Sequence, residues 1–498
     1  MGSIKRQGIG SGIFMYLGLF VGFANNILFP RFVGAEVLGF TIWVAEIAGF
    51  LILLSGFGGN ISIIRFFPFF KDKAKSHNGY LAFLFVIRTI GLILTTLLII
   101  LLKDVIISIY DRPDSREYIE QYYPLLIAGL ALLTYSDLLE NYLAALMRPR
   151  MPTFFRDVFN RLIALGLLFA YYWGLISLEA FIIAYVCRFL AGVLGMILFT
   201  YVIGELHFKM DWRIFRKPIF KDIASFSFYS VFASLGSKFT TKIDILMIPS
   251  LIGMGATGIY GVFSFFASVI TMPHNGIAKI TSPILADAWK REDFPKIQEL
   301  YTRTALNNFA AGMLIFVGIV INLDNIVHII GEEFEVGKYV AVFLGLGQLA
   351  HTANGYNGII LNYSPKYRYD LAFKVGTAAL NVLSNYILIK QFGITGAAMA
   401  TALTILVINT LSQAFVYRHY RMHPFSMNML GVIATGMACL LVNWWIPVIE
   451  YHFLVDLLAR STAITLLFFL ILLGFRIAPD INDYLLEWVQ KIRPGRKS

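Results

Sequence analysis

Charge is scarce in this sequence. Only 14% of its 498 residues are Asp, Glu, Lys or Arg, whereas 58% are hydrophobic and the mean hydropathy is +0.71. Soluble globular chains carry about 25% charged residues, so that class is excluded. Cysteine is nearly absent. Cys187 and Cys439 lie in separate apolar runs and supply neither a disulfide framework nor a metal-ligand spacing. Also missing are H-E-x-x-H, a P-loop and a nucleophile elbow, and the histidines, including that of His-Pro-Phe at 423–425, are scattered. The chain therefore reads as a non-enzyme with no metal site and no cofactor. Without an ATP-binding segment, work must come from mass action, the membrane potential or a Na+ or H+ gradient. The net charge of +11 would suit nucleic acid, but the basic residues fall between apolar segments, a pattern of membrane topology. Membrane lipids are the expected surroundings and nucleic acid is not an expected partner.

Long apolar runs are what the sequence has in abundance. A bilayer core needs roughly 20 apolar residues per helix. Such runs fall near 8–29, 39–63, 80–102, 120–143, 158–174 and 177–203, then near 222–248, 254–283, 303–323, 338–361, 369–390 and 394–416, with a last pair near 427–448 and 455–475. The expectation is an all-α membrane protein of about 14 transmembrane helices. With a cytoplasmic N-terminus, roughly 28 Lys and Arg fall in inside segments and roughly 6 in outside ones. The acidic loop at 330–337 lands outside. Lys5 and Arg6 lead directly into the first run, so no cleavable signal peptide is expected. Ile481, Tyr484, Leu485, Trp488, Val489 and Ile492 share one helical face in a tail expected to lie along the cytoplasmic surface. The location expected is a bacterial or archaeal cytoplasmic membrane, crossed many times, with both termini inside.

An internal repeat organises the spans. The offset between Asn25 and Asp244 also pairs Ser11 with Ser230, Gly18 with Ser237 and Gly22 with Thr241. It pairs Pro30, Gly34 and Gly39 with Pro249, Gly253 and Gly258, and Gly174 with Gly393. An even number of helices between copies makes them parallel, related by an axis along the membrane normal. The expected units are a six-helix bundle at 1–205, a second at 206–420, and a further helix pair with an amphipathic tail at 421–498.

Polar residues inside the spans are the candidate site. Ser227, Ser230, Ser234, Ser237, Thr241 and Asp244 follow a 3-4 spacing and line one face, flanked by Lys238 and Lys242. Hydroxyls alone suit helix packing equally well. Intramembrane charges cost at least about 2.5 kcal/mol each and point to a cavity. Ser264, Ser268, Thr271, Asn275 and Lys279 continue the theme beside Pro273, which breaks the helical ladder. Arg88, Arg161 and Arg188 lie in or near spans with Glu46, Asp137 and Glu140. Asp137 and Glu140 share a face, and Asp157 and Arg161, four apart, are expected to form a salt bridge. Further polar faces hold Gln348, His351, Thr352 and Gly355, and Lys374, Asn381 and Asn385. An excess of cations suits a pyrophosphate head group, and Asn, Ser and Thr suit sugar hydroxyls. Lys238, Lys242, Arg88, Arg161, Arg188 and Lys279 are thus candidates for substrate binding. Ser230, Ser234, Ser237, Thr241, Asn25 and Asn275 would form the polar lining. Asp244, Asp137, Glu140 and Glu46 would serve ion coupling or charge balance.

Three stretches carry a family resemblance: ILFPRFVGAEVLGF (27–40), KIDILMIPSLIGMGATGIYGVF (242–263) and FGITGAAMATAL (392–403). The chain resembles the multidrug/oligosaccharidyl-lipid/polysaccharide exporter superfamily, in its polysaccharide-biosynthesis, O-antigen flippase-like branch. The resemblance implies two six-helix bundles forming a V, a cationic central cavity and alternating access. It implies undecaprenyl-diphosphate-linked oligosaccharide as cargo, flipped from the cytoplasmic to the outer leaflet, with a polysaccharide polymerase or glycosyltransferases as neighbours. Arg31 stands where the family has a small residue and is either a gate or an interfacial anchor. Two other functions stay open: an ion-coupled multidrug exporter, and a non-transporting scaffold for polysaccharide synthesis.

Overall fold

In lipid every backbone N–H and C=O must be satisfied within the protein, which leaves helices for apolar runs of this length. The computed structural model describes residues 2–57, 59–72, 77–208, 218–366, 368–447, 452–480 and 482, all helical or in short connections, with no strand among them. The expected amphipathic tail lies outside the described residues save Asn482. The chain divides into two compact units, Met1–Gly261 and Val262–Ser498.

The first unit contains α1 (Gly2–Val33), α2 (Ala35–Ser55), α3 (Gly59–Phe66), α4 (Tyr80–Leu101), α5 (Lys103–Ile109), α6 (Pro113–Ala145), α7 (Arg150–Thr153), α8 (Asn160–Tyr172), α9 (Leu178–Cys187), α10 (Phe189–Val202) and α11 (Pro218–Leu251). A π-helical turn, Phe154–Phe159, joins α7 to α8. The unit boundary falls inside α12 (Met254–Val269). The second unit continues with α13 (Met272–Lys290), α14 (Phe294–Ile321), α15 (Leu323–Ile330), α16 (Lys338–Ala353), α17 (Asn357–Tyr363), α18 (Arg368–Tyr420), α19 (Met427–Asn443) and α20 (Phe453–Gly474).

Among the described residues eight helices are long and apolar enough to cross a membrane, or nine if the bent pair α12 and α13 is one span. That count is lower than fourteen because several expected spans are interrupted helices. The 254–283 run breaks before Pro273 with a 50° bend. The 338–361 run is split into α16 and α17, and the runs at 369–390 and 394–416 form one 53-residue helix broken at Gly393.

The exposed residues read as a lipid-facing surface. Ile90, Ile93, Leu94, Leu97 and Leu101 of α4 are 46 to 80% exposed and lie along one helical stripe. Water would penalise that stripe; hydrocarbon does not. Trp444 and Trp445, nearly bare after α19, fit the interfacial belt. Inside the first unit, Ile63, Phe67, Tyr80, Leu139, Tyr142 and Met196 pack α3, α4, α6 and α10 together. In the second unit Phe309, Met313, Val432, Cys439 and Phe468 bring α19 and α20 onto α14.

Repeat-related glycines adopt related conformations. Gly34 and Gly253 both have positive φ, 97° and 150°, where α1 gives way to α2 and α11 to α12. Gly174 and Gly393 also match, at 70° and 59°. Gly39 and Gly258 meet each other: a methyl on Gly39 would strike the Met254 carbonyl, and one on Gly258 the Ala35 carbonyl. Only glycine permits that backbone approach.

Candidate functional site

The charged residues of the first unit's helices form paired groups. On α11, Lys242 bonds Glu46 of α2 at 2.8 Å. One turn earlier, half-buried Lys238 lies over Gly49, with its ammonium 5.3 Å from the centre of the Phe50 ring. Gly49 makes room for that ammonium, since any side chain there would collide with it. On α4, Arg88 is only 2% exposed and bonds Asp137 of α6 at 2.7 Å. Its guanidinium is seated against Gly56, at the end of α2. Asp137 also accepts from Asn141 at 3.1 Å. One turn along the same face, Glu140 accepts from Ser136 and from Arg156, each at 3.1 Å. Arg156 in turn holds Asp157 through two bonds of 2.9 and 3.0 Å.

These groups communicate. Lys238 interacts electrostatically with both Glu46 and Asp137, joining the α2–α11 pair to the α4–α6 pair. Asp137, Glu140, Asn141, Thr153 and Arg156 line a cavity of about 280 Å³, which gives the acids a polar opening within an otherwise apolar bundle. Four cations (Arg88, Arg156, Lys238 and Lys242) therefore accompany four acids (Glu46, Asp137, Glu140 and Asp157). Charges that cannot remain naked in hydrocarbon are here compensated by one another.

Other predicted positions lie elsewhere. Arg161 donates to the Gly18 carbonyl at 2.6 Å, against the space left by Gly22, and its own carbonyl accepts from Asn25 at 2.9 Å. The expected Asp157–Arg161 salt bridge is a correction: Asp157 takes Arg156 instead. The Arg161 guanidinium is engaged by the Gly18 carbonyl of α1, while the adjacent Arg156 holds both carboxylate oxygens of Asp157. Arg188 donates to the Tyr185 carbonyl and stacks 3.9 Å from the Tyr185 ring centre and 4.4 Å from that of Phe189.

Asp244 accepts from the Tyr260 hydroxyl and the Ile245 amide, beside the Gly39–Gly258 crossing. The hydroxyl stripe of α11 is partly packing. Ser227 bonds Ser62 at 3.1 Å, Ser230 is buried, Ser234 is half-buried and Thr241 is exposed. Arg31 is exposed in the last turn of α1. Asn275 belongs to the second unit and is exposed; the side chains of Ser237 and Lys279 lie outside the described residues. Arg156 was not singled out from sequence. Its signal was weak, since a basic residue at a helix end is ordinarily an interfacial anchor.

An all-helical polytopic chain with paired charges inside its spans is a membrane protein of transporter fold. Residues 7–289 match the family described as polysaccharide biosynthesis protein, and the chain belongs to that family. Among curated proteins it is 26% identical over 220 residues to a probable low-salt glycan biosynthesis flippase, Agl15, of Haloferax volcanii. That match covers 43% of this chain and 46% of the relative, about half the relative's length. Among solved structures, the lipid II flippase MurJ in an inward closed conformation superposes with a TM-score of 0.72 at 15% identity, covering 95% of this chain and 99% of that one. An inward-facing multidrug resistance transporter of the MATE family and MOP superfamily gives 0.62 at 14% identity, over 81% and 94%. At such identities the structural likeness establishes the fold alone.

Proposed function

We propose that this protein flips a lipid-linked oligosaccharide of the polyprenyl-diphosphate type across the cytoplasmic membrane by alternating access, for the synthesis of a cell-surface polysaccharide. The observation that carries the reading is the first unit's cluster of four cations and four acids, of which Asp137, Glu140 and Arg156 line a polar cavity, in a chain of the polysaccharide biosynthesis family. A diphosphate brings about two negative charges and prefers guanidinium and ammonium partners away from bulk water. Lys238 is the principal phosphate contact because it is half-buried and interacts electrostatically with both Glu46 and Asp137. Arg156, Lys242 and Arg88 support it, in order of decreasing exposure, and Glu46, Asp137 and Glu140 carry the compensating charge or a coupling ion. Arg161 and Arg188, held on a backbone carbonyl and on aromatic rings, position helices. Both termini face the cytoplasm, following the Lys and Arg bias of the loops.

The test is transbilayer movement of a fluorescent oligosaccharide on an isoprenyl diphosphate in proteoliposomes. Wild type should move it, and Lys238→Ala, folded by size exclusion, should lose movement at least tenfold. Equal rates in the two proteins would remove Lys238 from the site. Efflux of cationic dyes without lipid movement would transfer the assignment to the multidrug exporter class.

A further inference from the structure

The second unit holds a separate polar chamber of about 290 Å³. His274 of α13, His351 of α16, Asn362 of α17 and Asp370, Lys374 and Ser412 of α18 line it. Its walls are organised by hydrogen bonds behind the lining. The two imidazole centres are 4.8 Å apart, and the His274 ring is 4.7 Å from that of Tyr356. Nδ1 of His274 meets the Asn308 amide at 3.3 Å, and Nδ1 of His351 meets the Asn409 carboxamide oxygen at 3.3 Å. Tyr356 donates to the His274 carbonyl at 3.0 Å, and Asn357 to the Asn409 carbonyl at 3.0 Å. Each ring thus has its orientation set through one nitrogen, with Nε2 left to meet other partners.

We infer that this chamber binds a neutral, polyhydroxylated ring, a glycan unit, in the second unit. The inference rests on the flippase reading and adds to it the part of the cargo this unit grips. Three features select that chemistry. Asp370 is 5% exposed and bonds Lys374 at 2.6 Å, so the lining's acid and amine cancel. The pair has no net charge, so it gives neither an anion nor a cation a net electrostatic attraction. A sugar hydroxyl, which donates and accepts at once, suits an adjacent acceptor and donor.

His351 and Tyr356 contribute planar side chains to the lining, and Asn362 and Ser412 add hydrogen-bonding groups without net charge. The volume lies at the small end of ligand pockets, about 300–1,000 Å³. It fits a sugar ring or two rather than a lipid-linked chain. Both halves of α18, before and after the Gly393 break, contribute walls.

The experiment is saturation-transfer NMR on the full chain in nanodiscs, with a panel of neutral methyl glycosides: glucoside, galactoside, mannoside and N-acetylglucosaminide. Wild type should pass saturation to at least one glycoside, and Asp370→Asn should reduce that signal at least fivefold. Asn362 is exposed, so Asn362→Ala keeps the test open if the buried substitution prevents folding, and should weaken the same signal at least twofold. No transfer to any glycoside identifies a chamber that holds water alone and overturns the inference. Transfer left unchanged by both variants places glycan contact elsewhere and overturns it equally. Binding is read here without translocation. A negative result therefore sinks the chamber and leaves the flippase reading, whereas glycoside binding with failed lipid movement does the reverse.

Discussion

Removing one partner from the Arg88–Asp137 pair should destabilise the first unit more than any comparable surface change. Arg88 is 2% exposed, while the Asp137 side chain is 23% exposed and borders the 280 Å³ cavity. Leaving a buried charge without its partner costs about 3–5 kcal/mol. The two variants should differ. Asp137→Ala removes the carboxylate from a guanidinium with almost no access to water and should cost near the top of that range. Arg88→Ala removes the guanidinium from a carboxylate that the cavity can hydrate and that keeps its Asn141 contact, so roughly 3 kcal/mol is expected. The double variant Arg88→Met with Asp137→Leu removes both charges together and should recover much of the loss. The assay is a thermal unfolding series on detergent-purified protein followed by fluorescence-detected size exclusion. Singles indistinguishable from wild type, or a double variant no better than the sum of the singles, would refute the coupling.

Three further outcomes follow from backbone and termini. Gly39→Ala should weaken the α2–α12 crossing by about 1–3 kcal/mol, because the methyl meets a main-chain carbonyl that cannot rotate away; an unchanged melting midpoint would deny the close approach. Gly393→Ala has open space around the added methyl, so its cost should come from the backbone alone at φ 59° and ψ −141°, about 1–3 kcal/mol. A variant as stable as wild type would show that the break in α18 has another geometry. Asp480, past the end of α20, is held below the usual carboxylate range first by hydrogen bonds from Arg303, helped by Asn307. A depressed pKa contributes stability above the unfolded value of about 3.9 and loses it as pH falls through the folded one. Proteolysis after residue 475 should therefore accelerate in acid for wild type, and at all pH values for Asp480→Ala.

Much of the fold was legible because membrane physics writes it in coarse letters. Apolar runs located the helices, and a single offset tied Gly34 to Gly253 and Gly174 to Gly393, pairs that share positive φ. That works because positive φ is a property of one residue, and glycine advertises it. Pro273 similarly announced the break between α12 and α13. Asp137 and Glu140 line one cavity because α6 is regular there, so their spacing of three keeps its meaning.

Partners across helices were not legible. Nothing local links Arg88 to Asp137 or Lys242 to Glu46, since those contacts depend on which helices pack together. The π-helical turn was equally hidden, for it requires no special residue, and so was the pairing of Asp157 with its neighbour Arg156. The supposed excess of cations was a related difficulty. A count along the sequence cannot show that each cation in the first unit's cluster has an acid beside it.

That balance of charge has a consequence for the proposed transport. If Lys238 and Lys242 receive the diphosphate, Glu46 must yield its 2.8 Å contact with Lys242. A carboxylate displaced within the membrane costs at least about 2.5 kcal/mol unless a proton or Na+ neutralises it. Cargo and coupling cation should then favour each other reciprocally, since each relieves the charge left by the other. Glu46→Gln mimics the neutralised state permanently. It should tighten binding of an isoprenyl diphosphate about tenfold, equivalent to about 1.4 kcal/mol, while slowing net transport because the site no longer resets. The two readouts are equilibrium binding to purified protein and lipid movement in vesicles. Weaker binding by Glu46→Gln would mean that Glu46 assists the cargo instead of competing with it, and ion-pair exchange would have to be abandoned.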